Sequence, residues 1–379
     1  MKNAHKRWSL GAALILGAGS LLAMATPMAA RAAAPTPNAC SQQPRVGHIA
    51  GIIAPIGRCD GKAAPRPSDA AKGTPPLIFH GGPVMMTPTS SPLVVTPIFW
   101  GPTGHTIPAA YRTIILNYLN AVAGASGQNT NVFSVANEYS GSNGQIHYNV
   151  TIGSTINDAN RLPTSGCRVA LTDRVGIYAD GTGYNACLDD AQLQSQIATV
   201  TSGRPHNLSH IYVLFLPKQV ESCFNAGSTT TSSNQCTINH QPSAAFCAYH
   251  SEASGTSIYA NMPFPIYQSS TGFTCSSDGN FGVVESPNGN PDADTEVSPT
   301  SHEINEAITD PDTMTGWFDS SGFENGDECA YVFGMTQGTP GALFNQTIGG
   351  FHFLTQEEFS NKDFAITHLG CVPSANAEA

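Results

Sequence analysis

The chain is short of charge, and of positive charge above all. Only 11% of its 379 residues are Asp, Glu, Lys or Arg, where an average globular protein has about 25%. Sixteen cations face 27 acids, for a formal net charge of −11. Nucleic-acid binders need clustered cations, so that class is excluded. After the apolar run Leu10 to Ala25 no stretch is long or apolar enough to span a bilayer, which takes about 20 residues. No two cysteines have the CxxC spacing of a zinc ribbon. What the chain does have is glycine (37), proline (27) and 40% hydrophobic residues, the composition of a loop-rich globular protein.

Lys2, Lys6 and Arg7 precede the apolar run, and Ala30 and Ala32 fit a small-residue cleavage site. Residues 1–32 are therefore expected to be a signal peptide, and the protein to be secreted, extracellular or periplasmic. All ten cysteines lie beyond that point, which suits an oxidising compartment. Pairing neighbours in sequence is the simplest of the many connectivities. Residues 33–76 read as an Ala/Pro-rich arm stapled by Cys40 and Cys59, residues 77–373 as one domain, and residues 374–379 as a tail.

The domain has the pattern of an α/β (α+β) fold: a single mixed sheet, a zincin-like site helix and a C-terminal third rich in strands and turns. LVVTPIFW (Leu93 to Trp100) reads as a strand, Pro108 to Ala123 as an amphipathic helix, HYNVTI as a second strand and Asp189 to Val200 as a second helix. His210 to Pro217 is almost uninterrupted apolar sequence, as in a central strand covered on both faces. SIYANMPF reads as an edge strand, because Pro263 and Pro265 cannot donate to a ladder.

A further helix carries the most informative residues, Ser298-Pro-Thr-Ser-His302-Glu303-Ile-Asn-Glu306-Ala-Ile-Thr-Asp310-Pro311-Asp312. Ser298 suits the N-cap, Pro299 the first turn, and Pro311 a stop just after Asp310. Four-residue spacing puts His302, Glu306 and Asp310 on one face with Glu303 beside them. In zincin peptidases HExxH sets two histidines one turn apart on zinc, and the glutamate after the first activates water. Here Glu306 replaces the second histidine. The expected variant has His302 and Glu306 as ligands, Glu303 as general base, and Glu324, Asp327 or Asp312 as third ligand. Zinc is expected there, although the oxygen-rich donor set also suits calcium.

Between Gln219 and Asn361 there is no Lys or Arg but 17 acids. Carboxylates crowded without cations bind metal, take up protons or repel one another. Asn288 to Glu296 alternates oxygen ligands in the manner of a calcium loop, and calcium is a second candidate cofactor. Two other patterns carry less. Ser254-Gly-Thr-Ser257 lacks the helix a peptidase nucleophile needs, and Cys247, three residues before His250, reads as half of a disulfide.

Phe79-His80-Gly-Gly-Pro-Val-Met-Met, the strand ending Ile98-Phe-Trp-Gly101 and the helix Tyr111 to Tyr118 resemble the opening of the EXORDIUM, or phosphate-induced protein 1, family of plants. Phe246-Cys-Ala-Tyr-His250, Ser301 to Glu306 with Thr309-Asp-Pro311, Trp317-Phe, and Glu324-Asn-Gly-Asp327-Glu-Cys329 continue it, as do Phe344-Asn345 and the final Cys371. The resemblance implies an extracellular protein linked to growth and cell-wall responses, and brings no settled activity. Two expectations result. One is a secreted metal-dependent hydrolase acting on extracellular polypeptide, aligned by the SIYANMPF strand. The other is a non-catalytic protein that binds a cell-wall polymer and holds structural calcium.

Overall fold

The computed structural model describes residues 45–46, 49–53 and 76–378, except 177, 179, 233–234, 238–245, 266–274 and 278–281. The expected signal peptide, most of the arm and the expected Cys40–Cys59 staple lie outside the described residues.

Eight strands form the main sheet: β1 (Arg45–Val46), β2 (Ile49–Ile53), β3 (Leu93–Trp100), β4 (Val150–Ile152), β5 (Ile156–Asp158), β6 (His210–Phe215), β7 (Ala248–Ala253) and β8 (Ser257–Met262). Their order is β1-β2-β7-β8-β6-β3-β4, with β5 also on β3. β8, β6, β3, β4 and β5 run parallel, and β7, β2 and β1 add an antiparallel flank. Pro97 is tolerated inside β3 because β4 pairs with Leu93 to Val95 and β5 with Ile98 to Trp100, so its missing N–H falls between the two.

β6 alternates as a doubly covered strand must. Ile211, Val213 and Phe215 face a core shared with Tyr111, Ile115, Ile304 and Ile308. Tyr212 and Leu214 face a second core with Leu193 and Ile197. The helices are α1 (Ala109–Gly124), α2 (Asp190–Val200), α3 (Pro291–Thr309) and α4 (Asn361–Thr367). Asp189 and Gln192 close a reciprocal capping box at the start of α2. α1 and α3 pack together on the first face, and α3 reaches β2, β7 and β8.

The structure corrects three expectations here. Ser257–Met262 is not an edge strand, since β6 and β7 pair with it on either side; Pro263 and Pro265 lie just past its end. The site helix starts two turns earlier than Ser298. Asn290 is its N-cap, Pro291 opens it and Pro299 lies inside. The arm is also not separate from the domain, because β1 and β2 complete the sheet. Residues 375–377 form a 3-10 turn anchored by the bond from Ala375 N to Ser134 Oγ (2.9 Å).

Among the described residues four disulfides join neighbouring cysteines: Cys167–Cys187, Cys223–Cys236, Cys247–Cys275 and Cys329–Cys371. They accord with an oxidising compartment. No helix among the described residues is long and apolar enough to cross a membrane.

Candidate metal centre

The C-terminal half of α3 is held in place by the turn and loop beyond its end. Asp310 caps the helix, and its carboxylate accepts N–H bonds from Met314 (2.6 Å), Thr315 (3.0 Å) and Gly316 (2.6 Å). That turn sends the chain to the loop Glu324 to Cys329, which folds back onto the helix. Thr309 Oγ1 bonds Asn325 Oδ1 at 3.2 Å, Asp327 N donates to Glu306 Oε1 at 2.8 Å, and Gln356 Nε2 holds the Gly326 carbonyl at 2.8 Å. The Cys329–Cys371 bridge ties off the loop. Gly326 comes so close that a Cβ there would stand 2.8 Å from both Glu306 Oε1 and His302 Nδ1, so only glycine lets the loop close.

Six ionisable side chains meet in this interior. His302 Nε2 lies 3.0 Å from Glu306 Oε1 and 3.7 Å from Asp327 Oδ1. His250, from β7, lies across from them: its Nδ1 is 3.5 Å from Glu303 Oε2 and 3.7 Å from Glu306 Oε2, and its Nε2 is 3.7 Å from Glu324 Oε1. Two groups have ligand atoms within 4.8 Å of one another, His302–Glu306–Asp327 and His250–Glu303–Glu306. Glu306 belongs to both and turns one oxygen to each imidazole. A third group, Cys167, Cys187 and Cys223, is accounted for by disulfides, with Cys187 Sγ 3.6 Å from Cys223 Sγ.

The buried groups of the interior could hold a cation. His250, His302, Glu303, Glu306 and Glu324 have no exposure, and Asp327 has 7%. Both oxygens of Glu303, both of Glu324, Glu306 Oε2 and His250 Nδ1 lack a hydrogen-bond partner. Isolated buried carboxylates are very costly unless protonated, paired or bound to metal. Burial, then the Glu306 charge, pushes the Glu303 and Glu324 carboxyls well above the usual range, with Asp310 a further influence on Glu324. Burial and Glu306 raise Asp327 as well, against the pull of His302. Burial lowers His302, but Glu306, Asp327 and Gln356 together outweigh it and the net shift is upward. Burial takes His250 down to about 4. Its Nε2 is 3.4 Å from the Asp310 carbonyl, which can only accept, so the neutral ring carries its proton there. Nδ1 then presents a lone pair to two carboxylates, an arrangement that a proton or a metal ion between them relieves.

Of the sequence candidates, the structure brings His302, Glu303, Glu306, Glu324 and Asp327 together. Asp327, not Glu324, groups with His302 and Glu306. Asp310 and Asp312 stand outside both groups: the carboxylate of the first accepts three N–H bonds within its turn, and the second is exposed on it. Asn288 to Glu296 does not form a calcium loop either, because helix α3 has already begun at Pro291. Asp294 accepts from Ser286 Oγ (2.6 Å), Asn288 N (3.1 Å), Asn288 Nδ2 (2.6 Å) and Asn290 N (3.3 Å), while Glu296 is buried on the next turn. Sequence reasoning noted His250 only beside Cys247 and in the EXORDIUM-like motif, and did not place it in the metal cluster. The available signal was parity: His250 falls on the same face of its strand as buried Ala248.

The site is closed. A cavity of about 390 Å³ lies beside α1, lined by Asn117, Asn120, Thr347, Ile348 and Phe351, and shares no residue with the cluster. The segments that carry the EXORDIUM resemblance do gather here. His80 N bonds Gly316 O at 2.8 Å, Gly82 N bonds Thr315 O at 2.6 Å and Met85 N bonds Ile308 O at 2.9 Å. No protein-family model, curated protein or solved structure matches the chain, so the resemblance rests on those motifs alone.

Proposed function

We propose that the protein is a secreted metal-dependent hydrolase acting on polypeptide, with a divalent ion, zinc by its imidazole-containing donor set, held by His302, Glu306 and Asp327. The observation that carries this reading is the convergence of these three ligands beside a fourth acid, Glu303, whose two oxygens have no hydrogen-bond partner. One imidazole and two carboxylates leave room in a tetrahedral shell for a reacting group. Such an ion would supply Lewis-acid polarisation of a scissile carbonyl and would acidify water.

The chain's own residues do the rest. Glu303 sits one position after His302 on α3 and is raised by burial, which suits a carboxylate that must take up a proton and then release it. His250 Nδ1, 3.5 Å from Glu303 Oε2, positions that carboxyl. The Glu324 to Cys329 loop would carry Asp327 to such an ion.

Full burial favours a second reading, in which the same ligands hold a structural ion and no reaction occurs. Glu303→Gln separates the two. In the hydrolase it keeps the ion and lowers turnover of a mixed peptide library by about 10²–10⁴-fold. Product profiles identical to wild type, with metal content unchanged, would leave only the structural ion.

A further inference from the structure

The outer edge of β7 is where the site meets a separate stretch of chain. β2 lies antiparallel on that edge, with Ala50 opposite His250 and Ile49 opposite Ser251. It also packs against α3 and against the 3-10 turn Asp327–Cys329, the two elements that supply the ligands. Directly opposed residues point to the same face of a sheet, so the Ala50 methyl lies on the His250 side and Ile49 on the other. Burial agrees: Ala50 is fully buried, and Ile49 joins the core of the opposite face. The segment Ile49-Ala-Gly-Ile-Ile-Ala54 is small, apolar and uncharged.

Charge sets this stretch apart from the rest. Residues 33–76 hold Arg45, Arg58, Lys62, Arg66 and Lys72 against Asp60 and Asp69, a net +3, while residues 77–379 hold 7 cations against 25 acids, a net −18. A cationic arm is drawn to an acidic body.

We infer that the edge of β7 is a binding site for an extended polypeptide, and that β2 occupies it as an internal surrogate for the substrate. Strand addition supplies affinity through main-chain bonds, and alternate side chains set selectivity. The position of Ala50, opposite His250 whose ring faces buried Glu303 and Glu306, admits a small neutral residue and rejects an acid. The inference names the substrate class of the proposed hydrolase and rests on that reading only for the reaction after binding. Binding itself needs no ion.

The test is therefore made in excess chelator, where hydrolysis is silent. A recognition sequence for a site-specific protease is inserted after Lys72 of the full chain and cut in the folded protein. A labelled peptide spanning Gly47 to Ala54 is then added in excess. We expect the cut chain to bind it at least tenfold tighter than the uncut chain, and the peptide with Asp at position 50 not to bind. Equal binding by cut and uncut chains overturns the inference. Should cutting unfold the protein, uncut Ala50→Asp serves instead: the amides of β7 exchange faster with solvent and regain protection when the wild-type peptide is added. Fast exchange with no protection by peptide also overturns it. Either result leaves the Glu303→Gln comparison untouched.

Discussion

His250 Nδ1 stands 3.5 Å from Glu303 Oε2 with both side chains fully buried, so a strand of the sheet and a helix residue 53 positions later meet through two ionisable groups. Nδ1 also faces Glu306 Oε2, at 3.7 Å, and neither Nδ1 nor the Glu303 oxygens have a hydrogen-bond partner among the described residues. The contact makes the strand part of the site, and His250→Ala is expected to lower turnover while leaving one divalent ion per chain. Elemental analysis beside the peptide assay checks this; loss of the ion would make His250 a ligand instead.

Ligand identity is separable by substitution. His302→Ala and Asp327→Ala should each lose the ion, whereas Glu324→Ala should retain it, because only Asp327 groups with His302 and Glu306. Chelation should lower the melting temperature of the wild type in the same assay. A ligand present at 100 times its dissociation constant stabilises by about 2.7 kcal/mol.

Gly326→Ala places a methyl 2.8 Å from Glu306 Oε1 and His302 Nδ1. The loop must move outward, carrying Asp327 with it. Metal affinity is expected to fall about tenfold or more, in line with losses seen when groups that orient ligands are changed, while circular dichroism stays that of the wild type. Unchanged affinity by competition titration would show that the loop does not position the ligand.

The ion-free protein should have its stability maximum in mildly acidic solution. His250 is depressed to about 4 from 6.5, so its contribution, on the order of 3 kcal/mol, is present above pH 6.5 and is lost as pH falls toward 4. Glu303, Glu324 and Asp327 are raised, and Glu328 is raised to about 8 by burial and Asp319. Their contribution is full below the ordinary carboxylate range and is lost as pH rises through the folded values. Bound metal favours the ionised ligands and should move the maximum upward. Melting temperature against pH, with and without chelator, reads both limbs.

The 42-residue span closed by Cys329–Cys371 should matter to the centre as well as the fold. Replacing both cysteines by serine is expected to cost about 2–5 kcal/mol and to weaken metal binding, because the Asp327 loop loses its tether. Denaturant unfolding and metal titration measure the two effects.

Much of this arrangement is legible in the sequence where local chemistry decides. Leu93 to Trp100 is a strand by composition, Asp189 caps α2 by its side chain, and the disulfides keep to sequence order. The HExxE spacing likewise places His302, Glu303 and Glu306 on one helix. What long-range packing decides is not legible. Nothing local tells Asp327 from Glu324 as the partner of His302, since both lie in one loop and only its closure selects. Pro299 looks like a helix start because interior prolines are rare, yet Asn290 and the Asp294 hydrogen bonds start the helix earlier. Pro263 and Pro265 mark the end of a strand rather than an edge, a distinction that depends on where its neighbours stop.

The sheet ends on one side in a strand of two residues, Arg45–Val46, and on the other in strands of three, Val150–Ile152 and Ile156–Asp158. Short borders expose little unpaired backbone. With β1 and β2 absent, the border becomes the six residues of Ala248–Ala253, which include the apolar Tyr249 and no cation. Handling then becomes a colloidal matter: a shortened chain beginning at Leu77 should self-associate as its concentration rises, while the longer chain stays dispersed.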